Sequence, residues 1–117
     1  MANEFKPNVG GPVSKDEALK WMSKYDNERK DKAKDTKSIF FGREILEQIL
    51  AQPGCAGISF FFGMKYSDYA KKDTVNLVMV GTREDGTLIW PQSGGKDGGG
   101  GTVADSGTPC PPYCAKL

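Results

Sequence analysis

Three cysteines carry the most reactive side chains of this chain, and two of them stand close together in Cys110-Pro111-Pro112-Tyr113-Cys114, with Cys55 elsewhere. Two thiols at this spacing can close a disulfide, ligate a soft metal as thiolates, or act as a redox pair. Cys55 as a third partner would make Cys55, Cys110 and Cys114 a trigonal or tetrahedral thiolate site for zinc or iron. Geometry sets conditions on all of these. With Pro111-Pro112 in full polyproline II, at ~3.1 Å per residue, Cys110 and Cys114 lie ~12 Å apart, too far for a bridge. A turn at Pro112-Tyr113 brings them together. The spacing is not C-x-x-C, and three thiols leave a metal in need of Asp105, water or a second subunit. The plainer reading is that the thiols are packed and the prolines pin the tail against the domain.

Other chemistries fall away. The chain has no histidine, which removes Ser-His and Cys-His nucleophiles, histidine bases and the commonest zinc ligand. Ser93 and Ser106 lack the G-x-S-x-G elbow, since Pro91 and Ala104 stand two residues before them. The glycine run fails as a phosphate loop: Gly95-Lys96 is followed by Asp97, and Trp90 stands where the first glycine belongs. No G-x-G-x-x-G fits. No catalytic or cofactor-binding residue is assigned, and the balance is against an enzyme.

Charge and length narrow the partners. The 117 residues fit one domain. Sixteen Lys and Arg against fifteen Asp and Glu leave +1, and both halves of the chain are balanced. Neither nucleic acid nor an anionic membrane finds the field it would require. Phe60-Phe61-Phe62, Tyr66 and Tyr69 beside Lys65, Lys71 and Lys72 have the composition of a stacking platform for single-stranded nucleic acid. The RNP1 order is absent, however, and neighbours on a strand face opposite ways. Phe60 and Phe62 therefore read as core, with Phe61 on the second face. The opening residues lack the apolar stretch of a secretory signal, and the longest apolar aromatic run is three residues, so a reduced, cytoplasmic protein is the simplest expectation.

The elements that must position these residues centre on 38–66. Ile45, Leu46, Ile49 and Leu50 make a helical face over 42–52, Pro53-Gly54 stops it, and Ile58, Phe60, Phe62 and Met64 alternate as a strand over 56–66. Whether 38–41 is a first helical turn or an extended lead-in is open. Upstream, residues 1–13 form an irregular arm. Ser14-Lys15-Asp16-Glu17 is a capping box for a helix over 15–29, whose stripe Ala18, Trp21, Met22 and Tyr25 reads as core. The mixed charges of 26–37 read as a solvated helix end, with Glu28 and Lys32 paired at i, i+4. Downstream, 67–73 is a loop and 74–84 a strand apolar on both faces. Asp85-Gly86 signals a two-residue hairpin turn into a strand over 87–90. Residues 93–101 form a glycine-rich loop, 102–105 a short edge strand, and 106–117 an irregular tail.

The predicted fold is α+β: two helices on one face of a three- to four-stranded antiparallel sheet, with a domain over 14–105 and the Pro/Cys tail over 106–117. Phe41-Gly42-Arg43-Glu44-Ile45-Leu46, Gln52-Pro53-Gly54-Cys55 leading to Gly57-Ile58, Leu77-Val78-Met79-Val80-Gly81 and the closing Cys110-Pro111-Pro112-Tyr113-Cys114 resemble a group of small uncharacterised bacterial proteins ending in a CPPxC motif. The resemblance implies no activity. The expected function is a non-enzymatic cytoplasmic binding or assembly module without cofactor, self-associating or bound to another protein. The alternative is a thiol-dependent redox or metal-binding protein using the tail with Cys55.

Overall fold

Ser14 starts the first helix. Its hydroxyl accepts from the backbone N–H of Glu17 at 3.1 Å, and Asp16 and Glu17 place negative charge where the helix dipole favours it. The computed structural model describes residues 4–91 and 102–116, so the glycine-rich loop expected at 93–101 lies outside the described residues. Helix α1 spans Lys15–Glu28. Its apolar stripe does not become core: Trp21, Met22 and Tyr25 keep 58%, 47% and 51% of their surface exposed.

The charged segment that follows also departs from the expectation. Rather than prolonging the helix, it folds back around Arg29, whose side chain is 7% exposed and donates to the Asp26 carboxylate and to the carbonyls of Lys32 and Asp35. With the helix over at Glu28, the expected Glu28–Lys32 pair has no helical turn to sit on. The Tyr25 hydroxyl donates to the Thr36 carbonyl at 3.0 Å. Polar bonds at its last turn, not a buried face, fasten α1.

The open question at 38–41 resolves as extended. Strand β1, Ser38–Phe40, leads through Gly42 into helix α2, Arg43–Leu50. Gly54, at φ +79°, then turns the chain through a left-handed conformation that favours glycine. Ile49 is fully buried and forms the core with Met79 and Ala104, while Phe41, Ile45, Leu46, Cys55 and Ile58 pack around it.

Strands β2, Cys55–Ser67, and β3, Lys72–Arg83, form a long antiparallel hairpin with a bulge between Cys55 and Gly57. Both strands run further into the expected loop than its polar residues suggested. The turn is only 68–71, closed by Lys71 donating to the Ser67 carbonyl at 2.7 Å. Strand β4, Val103–Ala104, pairs with the far side of β3, giving the order β2-β3-β4. Strand β5, Thr108–Cys110, pairs with β1 in a separate two-stranded sheet, so part of the tail expected to be irregular is a strand.

The Asp85-Gly86 turn forms where expected but with a different loop. The Gly86 N–H donates to Arg83, and the Arg83 N–H donates to Thr87, leaving three residues between the paired ends with Gly86 at φ +87°. That is the type I turn with a left-handed bulge. The strand expected over 87–90 shrinks to one bridge, Thr82 to Leu88, and a bond from Ile89 to the Gly81 carbonyl. The fold is α+β, with its strands divided between two antiparallel sheets.

Candidate functional site

Pairing of β1 with β5 sets Cys110 opposite Ser38, and Lys37 donates to the Cys110 carbonyl at 2.7 Å. Beyond it the tail turns, with the Tyr113 N–H donating to the Pro109 carbonyl at 3.0 Å. That turn brings Cys114 back to Cys110, and the two form a disulfide with a Cα–Cα separation of 4.6 Å. Cys110 is buried and Cys114 is exposed. The bridge forms part of the wall of a cleft of about 450 Å3, facing Trp21, Met22 and Tyr25 of α1.

Cys55 belongs to a different neighbourhood. Its thiol is half-buried, packs on the Ile49 core and donates to the Gly57 carbonyl at 3.2 Å. It sits at the open end of the hairpin, opposite Arg83. The tail lies by the closed end, where Pro109, Pro112 and Tyr113 line a cleft with Lys65, Tyr66 and Val75. The structure thus joins two of the three sequence-predicted site residues and leaves the third apart. Among the described residues, no group of three or more Cys, Asp or Glu side chains is placed to hold a metal ion. Asp105, the further oxygen donor considered for such a site, accepts instead from Lys65 at 2.9 Å and from Ser106. The Lys65 hydrogen bond holds its carboxyl below the usual carboxylate range.

The largest departure from the sequence reading is on β2. Phe60 and Phe62, read as core, are 51% and 82% exposed, Phe61 on the second face is 44% exposed, and Met64 and Tyr66 are 65% and 57% exposed. The register explains it. Ile58, Phe60, Phe62 and Met64 stand opposite Gly81, Met79, Leu77 and Val75 on one face of the hairpin. Helix α2 reaches that face only at the Ile58 end, because Ile49 lies over Gly81 and against Met79. Eight helical residues rise about 12 Å, whereas thirteen strand residues extend about 43 Å. A helix of that length cannot cover such a strand.

Strand β2 is also an edge. Among the described residues it pairs with β3 alone, so the backbone N–H and C=O groups on its other side are open for pairing. Edge strands are ordinarily kept short or interrupted by charge or proline. The run from Phe60 to Tyr66 contains one charged residue, Lys65, already held by Asp105.

Comparisons with family models, with curated proteins and with solved structures found no match. No helix among the described residues is long and apolar enough to cross a membrane.

Proposed function

We propose that this chain is a non-enzymatic binding or assembly module whose working surface is β2, and whose partner is protein. One observation carries the reading: among the described residues β2 is an edge strand without a second partner, and it presents four large apolar side chains on one face, Phe60, Phe62, Met64 and Tyr66, with Phe61 on the other. Contiguous exposed apolar surface of this kind marks an interaction site. A free strand edge adds main-chain hydrogen bonds to whatever docks there. Nucleic acid fits the same surface less well. The neighbouring cations Lys65 and Lys72 are paired with Asp105 and with Asp31 and Asp35, and the chain carries +1 overall.

The test is sedimentation of the protein and of Phe62→Asp, with circular dichroism to confirm that the variant folds. Self-association or binding of a purified protein partner that is lost in Phe62→Asp supports the reading. Association unchanged by the substitution removes β2 from it.

A second reading, thiol-dependent redox chemistry, is favoured by the disulfide itself. Cys114 is open to an incoming thiolate while Cys110 is buried as the leaving sulfur, and the apolar cleft under α1 lies beside them. In a reducing cytoplasm this pair stands as a dithiol, and in an oxidising compartment as a bridge. Thiol titration of protein taken from cells under acid quench separates the two.

A further inference from the structure

We infer that the occupant of the β2 edge is a second copy of this chain, paired antiparallel about Gly63; this rests on the assignment of β2 as the working surface.

The exposed part of β2 is a palindrome of properties. It runs from Phe60 to Tyr66, is bracketed by half-buried Ser59 and Ser67, and has Gly63 at its midpoint. A two-fold axis through Gly63 sets Phe62 of each copy opposite Met64 of the other, joining the two most exposed side chains of the strand as a sulfur–aromatic pair. The next pair outward, Phe61 with Lys65, places a cation beside a ring. The outermost, Phe60 with Tyr66, is a cross-strand aromatic pair. Residues brought opposite each other share a face of the sheet, so Phe60, Phe62, Met64 and Tyr66 of both copies form one continuous apolar band.

Charge selects against the alternatives. In-register parallel pairing would set Lys65 beside Lys65, whereas pairing about Gly63 separates the two ammonium groups by four residue positions. At the centre, the absence of a side chain on Gly63 leaves room for Asn76, whose Oδ1 lies 2.9 Å from where a Cβ would stand. Centring the axis on Phe61 instead would carry the pairing into Ala56–Ser59, which border the N-terminal arm at Phe5 and Val9.

At the fractional exposures of the four residues of the band, each copy presents about 500 Å2, of which edge pairing covers the flanks that meet the partner strand. The antiparallel edge pairing closes on itself and gives a six-stranded sheet across two copies, not an open fibre.

Cysteine cross-linking tests the register. In a Cys55→Ala background, with the Cys110–Cys114 bridge intact, Phe60→Cys and Tyr66→Cys proteins are oxidised separately and as a mixture, and Phe61→Cys with Lys65→Cys is treated likewise. All four positions are exposed, and circular dichroism checks that each variant folds. The expected result is at least tenfold more cross-linked dimer in each mixture than in either protein alone. Mixtures that fail to cross-link, while the unsubstituted protein still associates through Phe62, overturn the pairing and leave β2 as the surface, as face-to-face stacking would. Cross-links between Phe60→Cys and Phe62→Cys in place of the expected pairs overturn the Gly63 axis in favour of one at Phe61. A protein that sediments as a monomer and forms no cross-links overturns both the pairing and the self-association it depends on.

Discussion

Phe62 stands directly opposite Leu77 in the β2–β3 ladder, yet it is 82% exposed while Leu77 is half-buried. Two side chains on one face of one hairpin therefore have different surroundings. The difference follows from position in the sheet. Leu77 lies on the central strand, flanked by β2, and Phe62 lies on the edge, beyond the reach of α2. The apolar face of the hairpin is built as a core at one end and as a surface at the other.

The core end is where substitution costs most. Ile49→Ala removes a fully buried side chain that contacts Met79 and Ala104, and is expected to destabilise by about 2–5 kcal/mol. Leu46→Ala, only partly buried, falls at the lower end of that range. Denaturant midpoints measure both; an Ile49→Ala midpoint equal to that of the unsubstituted protein would place the core elsewhere.

Gly107→Ala should disrupt the small sheet. A Cβ at that position would overlap the Ile39 Cγ2 atom and lie 2.7 and 2.8 Å from Phe41 ring carbons. Shifting Ile39 and Phe41 should destabilise by about 1–3 kcal/mol. The checking measurement is hydrogen exchange at β1 and β5, expected to accelerate there before it does in the β2–β3 hairpin.

Much of the larger hairpin and its supporting helix was legible in the sequence. The Ser14 cap, the stop at Pro53-Gly54, the β2 alternation and the Asp85-Gly86 turn are local signals, each read within a few residues. The β1–β5 pair was not legible. It joins Ser38 to Cys110 through strands of three residues, one of which contains Pro109, and periodicity has nothing to count at that length. The exposure of Trp21 and Phe62 was hidden for another reason. An apolar stripe records what a face can bury, not whether another element is long enough to bury it. One clue was available: two short helices were too little to cover a sheet apolar on both sides. The cysteines were the reverse case, since their chemistry was plain and their separation depended on the β1–β5 pairing.

The disulfide should contribute modestly. Closing so short a loop restricts the unfolded chain by about 2 kcal/mol, and reduction should lower stability by that amount. Thiol titration of the unfolded protein should give one thiol before reduction and three after. Three thiols without reductant would show that the bridge is not present in the protein as prepared.

Acid should loosen the contact between the charged segment and the hairpin. The carboxyl of Asp35 is held below its ordinary value by the hydrogen bond from Lys72, then by the backbone N–H of Asp31. A depressed carboxylate contributes stability that is present above about pH 4 and is lost as pH falls through the depressed value. Asp35→Asn should therefore flatten the stability–pH curve below pH 4 and leave its slope near neutrality unchanged. An unaltered acid limb would show that the Asp35–Lys72 contact does not form in solution.

A second copy seated on β2 would shield the backbone of that strand from solvent. Hydrogen exchange followed by mass spectrometry at low and high protein concentration reads this without altering a residue. Peptides spanning Phe60 to Tyr66 are expected to exchange more slowly as concentration rises, with peptides from α1 unaffected. Exchange in β2 that is independent of concentration across the micromolar range would contradict it.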